Sequence, residues 1–308
     1  MQLAKLKEAQ GNMHRIFRLL WRGVLLIVLT VPLGLGASLV HAEEGEVHGK
    51  NTDSFPFSQI AWAQKNKAVL SLSPVQPSSL TTAAMMTDIF HKLDVHMPKE
   101  VEGQYQIGIP VARIAAAWLP GDLLYYGDSH PNNRQQMWVA MVVDPEHIAY
   151  AGPEQSIVYR SMKEVNRRYP LLGVRRVLSQ TDRMRFSLVL RAGNYIGVPY
   201  VLGARYGQTN TFDCSSFIKT IYAKEGITLP RVSRQQAKVG ERIAQQELRV
   251  GDLLFFTGKQ SRRQIAHVAM YAGSGLMIHT YGKGGVQYTA INHPIWRQRF
   301  VMARRVVK

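Results

Sequence analysis

Three residues in the C-terminal part of the chain have the types needed for thiol chemistry: Cys214, His267 and His279. Cys214 is the only cysteine, so it has no partner for an intrachain disulfide and no multi-cysteine metal site to join. A lone thiol is either a small buried apolar residue or a reactive group, and its neighbours decide which. Asp213 is a good helix N-cap, and Phe217, Ile218, Ile221 and Tyr222 follow at helical spacing until Gly226. Cys214 therefore falls in a first helical turn, where unpaired amides and the helix dipole favour a thiolate and lower its pKa. The amides from Ser215 onward are candidate donors to an oxyanion. His267 begins an alternating segment from which it can reach the helix tip as general base. His279, on the next strand of a hairpin, can bond the far nitrogen of His267 and fix its tautomer. A metal reading of the two histidines lacks a third ligand at suitable spacing.

Positioning these groups requires one helix and a sheet. Residues 253–256 form a short apolar run after the Gly251-Asp252 turn. Residues 267–271 alternate, with His267, Ala269 and Tyr271 on one face and Val268 and Met270 on the other. Ala272-Gly273-Ser274-Gly275 reads as the hairpin turn to a strand over 276–280, and residues 301–307 close the antiparallel sheet. One helix packed on such a sheet is an α+β domain.

The chain also repeats itself. Met97-Pro98-Lys99 parallels Leu229-Pro230-Arg231, and Gly121-Asp122-Leu123-Leu124-Tyr125-Tyr126 parallels Gly251-Asp252-Leu253-Leu254-Phe255-Phe256. Trp138-Val139-Ala140-Met141 parallels His267-Val268-Ala269-Met270, and Arg175-Arg176-Val177 parallels Arg304-Arg305-Val306, all in the same order and at a nearly constant offset. Two related domains are expected, over 52–180 and 184–308. In the first, Thr82, Trp138 and Tyr150 stand where the second has Cys214, His267 and His279. The first copy reads as a catalytically inactive relative of the second.

The 308 residues carry 38 Lys and Arg against 21 Asp and Glu, a formal net charge of +17. Such an excess attracts polyanions. No zinc-finger spacing, helix-turn-helix pattern or aromatic-interleaved basic stripe accompanies it, so nucleic acid is not the expected partner. An anionic envelope polymer fits the charge better. Lys5, Lys7, Arg15, Arg18 and Arg22 precede an apolar run over 24–40 that ends at Val40-His41-Ala42. This is the layout of a signal peptide over 1–42, with cleavage after Ala42 and Met13 as an alternative start. Uncleaved, the run would just span a membrane. Export to the periplasm or cell envelope is expected.

Several motifs occur in one order: Gly197-Val198-Pro199-Tyr200-Val201-Leu202-Gly203, Phe212-Asp213-Cys214-Ser215-Ser216-Phe217, Leu229-Pro230-Arg231, Gly251-Asp252-Leu253-Leu254-Phe255-Phe256, Ile265-Ala266-His267-Val268-Ala269-Met270-Tyr271 and Met277-Ile278-His279. Together they resemble the NlpC/P60 family of papain-like cell-wall endopeptidases, closest to the small Gram-negative murein type. The resemblance implies tandem papain-like domains and hydrolysis of peptidoglycan stem or cross-link peptides containing D-Glu and diaminopimelate. It implies Cys214 as nucleophile forming a thioester, His267 as base and His279 as orienter. Tyr200 would line the cleft, with Asp213 and Ser215 toward the substrate and no cofactor or metal. Ser216 and Ala204 stand where the family usually has glycine, and their side chains are expected to narrow the cleft or alter helix packing. The same thiol and base would also suit an acyltransferase or amidase acting on lipid or another acyl substrate. A protein that only binds the cell wall is the third reading.

Overall fold

In the computed structural model, residues 60, 77–127, 137–152, 156–258 and 264–308 are described, all within one compact unit spanning 44–308. The proposed signal segment lies outside them. None of the described helices is long and apolar enough to cross a membrane.

The alternating and apolar runs form two six-stranded sheets whose named strands all pair antiparallel. The first holds β1 (Ile109–Pro110), β2 (Leu123–Tyr126), β3 (Trp138–Val142), β4 (His147–Ala151), β5 (Ile157–Ser161) and β6 (Leu171–Arg176), in the order β1-β6-β2-β3-β4-β5. The second holds β7 (Glu241–Ile243), β8 (Leu253–Thr257), β9 (Ile265–Gly273), β10 (Leu276–Thr280), β11 (Val286–Ala290) and β12 (Phe300–Arg305). Its order is β7-β12-β8-β9-β10-β11, the same arrangement strand for strand. Registers correspond too: Tyr126 lies opposite Trp138 in one sheet as Phe256 lies opposite His267 in the other.

Each sheet carries a helix on its inner face. Helix α1 (Ser79–His91) packs on β3, and the later helix that begins at Cys214 packs on β9. The short α2 (Val101–Gln106) precedes β1, and α3 (Met162–Arg168) connects β5 to β6. Helix α4 (Gln180–Gly193) then leads into the second half, capped by Ser179, whose side chain accepts from the Asp182 amide at 3.1 Å. The helix at Cys214 is α5 (Cys214–Ala223), followed by α6 (Ser233–Gln236) and α7 (Pro294–Arg299).

The inward face of β9 is the one the alternation marks: Val268 and Met270 join the main core beneath α5. Ala269 and Tyr271 instead face a smaller cluster with Phe256, Met277 and Trp296. The turn to β10 forms as expected, with Ser274 (φ 51) and Gly275 (φ 73) both left-handed. In both halves a Gly-Asp turn is pinned in the same way. Asp122 accepts from Arg176 Nε at 2.8 Å and from its Nη2 at 2.7 Å; Asp252 accepts from Arg305 Nε at 3.0 Å and from its Nη2 at 2.8 Å. These nearly inaccessible carboxylates anchor the end of each central strand to its neighbour, a bidentate geometry that fixes direction as well as distance.

Candidate active site

Helix α5 starts where the sequence places it, and its cap is more elaborate than a single acceptor. Asp213 Oδ1 accepts from the Ser216 amide at 2.7 Å, while Ser216 Oγ accepts from the Asp213 amide at 3.0 Å, a reciprocal capping box. Ser216, expected to narrow the cleft or alter helix packing, is fully buried in this cap. Ala204 is buried too, and its carbonyl accepts from Arg231 Nη2 at 2.6 Å. Arg231 also grips Asp213, with Nη1–Oδ1 at 3.1 Å and Nη2–Oδ2 at 2.5 Å, and bonds Ser215 Oγ at 3.0 Å. Gln236, itself buried, donates to the Ser215 carbonyl at 3.0 Å and to Pro230 O at 2.9 Å. Cys214, Asp213 and Ser215 thus form one rigid tip, with the Asp213 carboxylate fully engaged by the protein itself.

The sulfur of Cys214 lies beside the start of β9, 4.0 Å from the Ala266 carbonyl and within reach of the Val268 amide. His267 stands between those two residues. Its Nε2 is 2.9 Å from His279 Nδ1, and His279 Nε2 is 2.9 Å from Thr289 Oγ1 on β11. All three side chains are buried. Trp296, delivered by α7, stacks on the His267 ring with centroids 4.8 Å apart and meets His279 edge-on at 4.9 Å. Tyr281 packs against His267 and Trp296, and the half-buried Tyr200 faces Tyr281 across 6.2 Å. The structure therefore brings Tyr200, Asp213, Cys214, Ser215, His267 and His279 into one neighbourhood. Among the described residues no hydrogen bond joins the Cys214 sulfur to the His267 ring; the free ring nitrogen is Nδ1.

A search for relatives points the same way as the motifs. The pattern of the NlpC/P60 family matches residues 197–305. A probable endopeptidase of Haemophilus influenzae is 35% identical over 116 residues, which cover 36% of this chain and 68% of that protein. The chain belongs to the NlpC/P60 family. The gamma-DL-glutamyl hydrolase of Bacillus subtilis is 28% identical over 223 residues, 70% of this chain and 52% of its own length. A gamma-D-glutamyl-L-lysine dipeptidyl-peptidase of Bacillus cereus is 29% identical over 215 residues, 61% of this chain and 63% of its own. The chain thus spans little more than half the length of these two relatives.

Protonation in this NlpC/P60 domain departs from the expectation drawn from helix position. Burial pushes the Cys214 thiol up to about 11, even though the amides of Val268, Ser215 and Cys214 pull it down. The helix tip is real, but desolvation of the thiolate outweighs it. Burial, together with His279 and Arg299, holds His267 well below its ordinary value, and burial alone takes His279 to about 3. The resting pair is a neutral thiol beside neutral imidazoles. Asp213 behaves oppositely. Burial would raise its carboxyl, but hydrogen bonds from Arg231, Ser216 and Ser215 outweigh that and hold it below the usual range.

Thr289, Trp296 and Gln236 were not singled out by the sequence. Trp296 enters on a six-residue helix with Pro294 at its start, too short for periodicity to carry a signal. Thr289 sits in an alternating run, Val286-Gln287-Tyr288-Thr289-Ala290, which was readable as a strand. Its polar face meets a buried histidine, and that depends on the register with β10.

Proposed function

We propose that the second half is a cysteine endopeptidase that cleaves peptide bonds in peptidoglycan, in stem or cross-link peptides containing D-Glu. The observation that carries this reading is a helix-tip thiol beside the start of β9, 4.0 Å from the Ala266 carbonyl, next to a histidine whose far nitrogen is held by a second histidine at 2.9 Å. His267 keeps Nδ1 available, and rotation of the Cys214 side chain away from the Ala266 carbonyl presents the sulfur to it. His267 takes the thiol proton as Sγ attacks the scissile carbonyl, and amides of the first turn of α5 stabilise the oxyanion. The proton passes to the leaving amine, a thioester remains, and water activated by His267 releases it. His279 acts as orienter. Tyr200 lines the cleft, and Asp213 and Ser215, with Arg231, shape the end of it that receives the stem peptide. The substrate class follows from relatives named as glutamyl hydrolase and glutamyl-lysine peptidase, and the positive charge suits an anionic wall. The envelope is the proposed location.

In the same reading, 52–180 is a degenerate copy without activity. Its strand order and registers support this, as does the pair of Gly-Asp turns. Thr82 Oγ1 accepts from the Val139 amide at 3.3 Å, where the sulfur of Cys214 meets Val268. Trp138 is buried against Tyr126, Tyr150 and Tyr169, so aromatic packing fills the space a base would need.

Purified protein incubated with peptidoglycan is expected to release smaller muropeptides, with none released by Cys214→Ala. Equal release by both proteins would refute the assignment.

A further inference from the structure

A base is useful only if its proton sits on the correct nitrogen. For His267 to receive a proton on Nδ1, its own must be on Nε2, and Nε2 faces His279 Nδ1 at 2.9 Å. That nitrogen of His279 must then accept, so His279 carries its proton on Nε2. The proton points at Thr289 Oγ1, 2.9 Å away. A hydroxyl can accept that proton and can equally donate to an unprotonated ring nitrogen, so threonine fits either tautomer, whereas a side chain without an oxygen would leave the Nε2 proton buried and unpaired. Thr289 therefore permits the tautomer of His279, and through it that of His267, which the mechanism needs.

The local fold supports this assignment. Thr289 lies opposite Met277, and His279 is two residues further along β10 on the same face. Its side chain is buried, so the bond is not shared with bulk water. The first half offers an internal comparison. There Arg160 lies opposite Ile148, and Tyr150 is two residues further along β4, so the register puts Arg160 in the place of Thr289. Arg160 hydrogen-bonds Tyr150. The contact between the third and fourth positions persists, but a guanidinium has donors only and cannot take a proton-bearing nitrogen. The half that lacks the thiol and both histidines also lacks the acceptor.

We infer that Thr289 is a positioning residue of the thiol centre, supplying the buried acceptor for the tautomer of the two-histidine chain that leaves His267 Nδ1 basic. This deepens the endopeptidase reading and rests on it for the choice of tautomer and for the effect on turnover, while ring spectra test the tautomer separately from turnover.

The test compares the full chain with Thr289→Val, which keeps the shape and removes the acceptor, and with Thr289→Ser, which keeps the acceptor. In wild type, ¹⁵N spectra of the rings should show His267 and His279 both protonated on Nε2. Thr289→Val should lose that pattern at His279 and lower kcat on muropeptides by about 10–100-fold with KM within about twofold, while Thr289→Ser stays near wild type. Alkylation of Cys214 by iodoacetamide should slow in Thr289→Val in parallel. Proton placement on Nδ1 of His279 in wild type would overturn the proposal, and that spectrum decides even if Thr289→Val does not fold. Wild-type ring signals, turnover and alkylation in a folded Thr289→Val would also overturn it. If no protein cleaves peptidoglycan but the ring signals move as expected, the endopeptidase reading fails and the role of Thr289 as the acceptor for His279 stands.

Discussion

At Cys214 two local effects oppose each other. Amides at the start of α5 and from Val268 favour the thiolate, and burial disfavours it; burial wins and takes the thiol to about 11. With His267 also held neutral, the centre stores no thiolate–imidazolium pair, and in the proposed mechanism the proton moves during attack. Alkylation of native Cys214 is therefore expected to keep accelerating with pH until about 11, beyond the range of about 8.5 of a free thiol. The rate profile for iodoacetamide, followed by mass spectrometry, checks this. A plateau reached below a free thiol's range would show a preformed ion pair and contradict the neutral resting state.

Helix α5 matters as an element because its cap, Asp213, and the thiol of Cys214 belong to adjacent residues. The Asp213 carboxylate accepts four hydrogen bonds from three residues, and losing it would leave the Arg231 charge without its carboxylate and the amide of Ser216 orphaned. Replacing an N-cap aspartate by alanine costs about 0.5–2 kcal/mol, and the partly buried ion pair with Arg231 adds to that. Asp213→Ala is expected to lower stability by about 2–3 kcal/mol in urea unfolding and to reduce turnover more than substrate affinity. Because the carboxyl is held below its ordinary range only in the folded chain, this contribution is present above the unfolded carboxyl's pKa and fades as pH falls through the folded one. An Asp213→Ala chain as stable as wild type at neutral pH would show that the cap contributes nothing. The element was legible in advance: an N-cap residue, helical spacing and Gly226 delimit α5, and an apolar run at β8, alternation at β9 and the hairpin turn into β10 place the sheet, with β12 as its closing strand and ends shifted by a few residues. Chain neighbours encode those features. The clamp of Arg231 on Asp213, the stacking of Trp296 on His267 and the burial that raises the thiol join residues distant in sequence, so no local pattern announces them.

For the whole molecule, the corresponding sheets suggest two independent domains, yet the buried apolar residues argue for one cooperative body. A single core cluster includes Ile89, Phe90, Tyr125 and Val139 from the first half and Phe217, Ile221, Phe255 and Met270 from the second. Helix α4 lies at the junction. At Gly121, a Cβ would come 2.6 Å from Leu178 and 3.5 Å from Phe186; at Gly251, one would come 3.4 Å from Leu188. Both Gly-Asp turns thus pack close to α4 and its cap segment, and φ of +89 and +87 at these glycines makes a larger residue unfavourable there as well. Phe186 is fully buried at the first of these contacts. Removing a buried phenylalanine side chain costs about 3–5 kcal/mol because a cavity replaces its packing. If the core unites the halves, calorimetry of the full chain should give one transition, and Phe186→Ala should move all of it down by on the order of 10 °C. Two separate transitions, with only the first displaced, would mean that the halves fold on their own and that α4 is a connector between them.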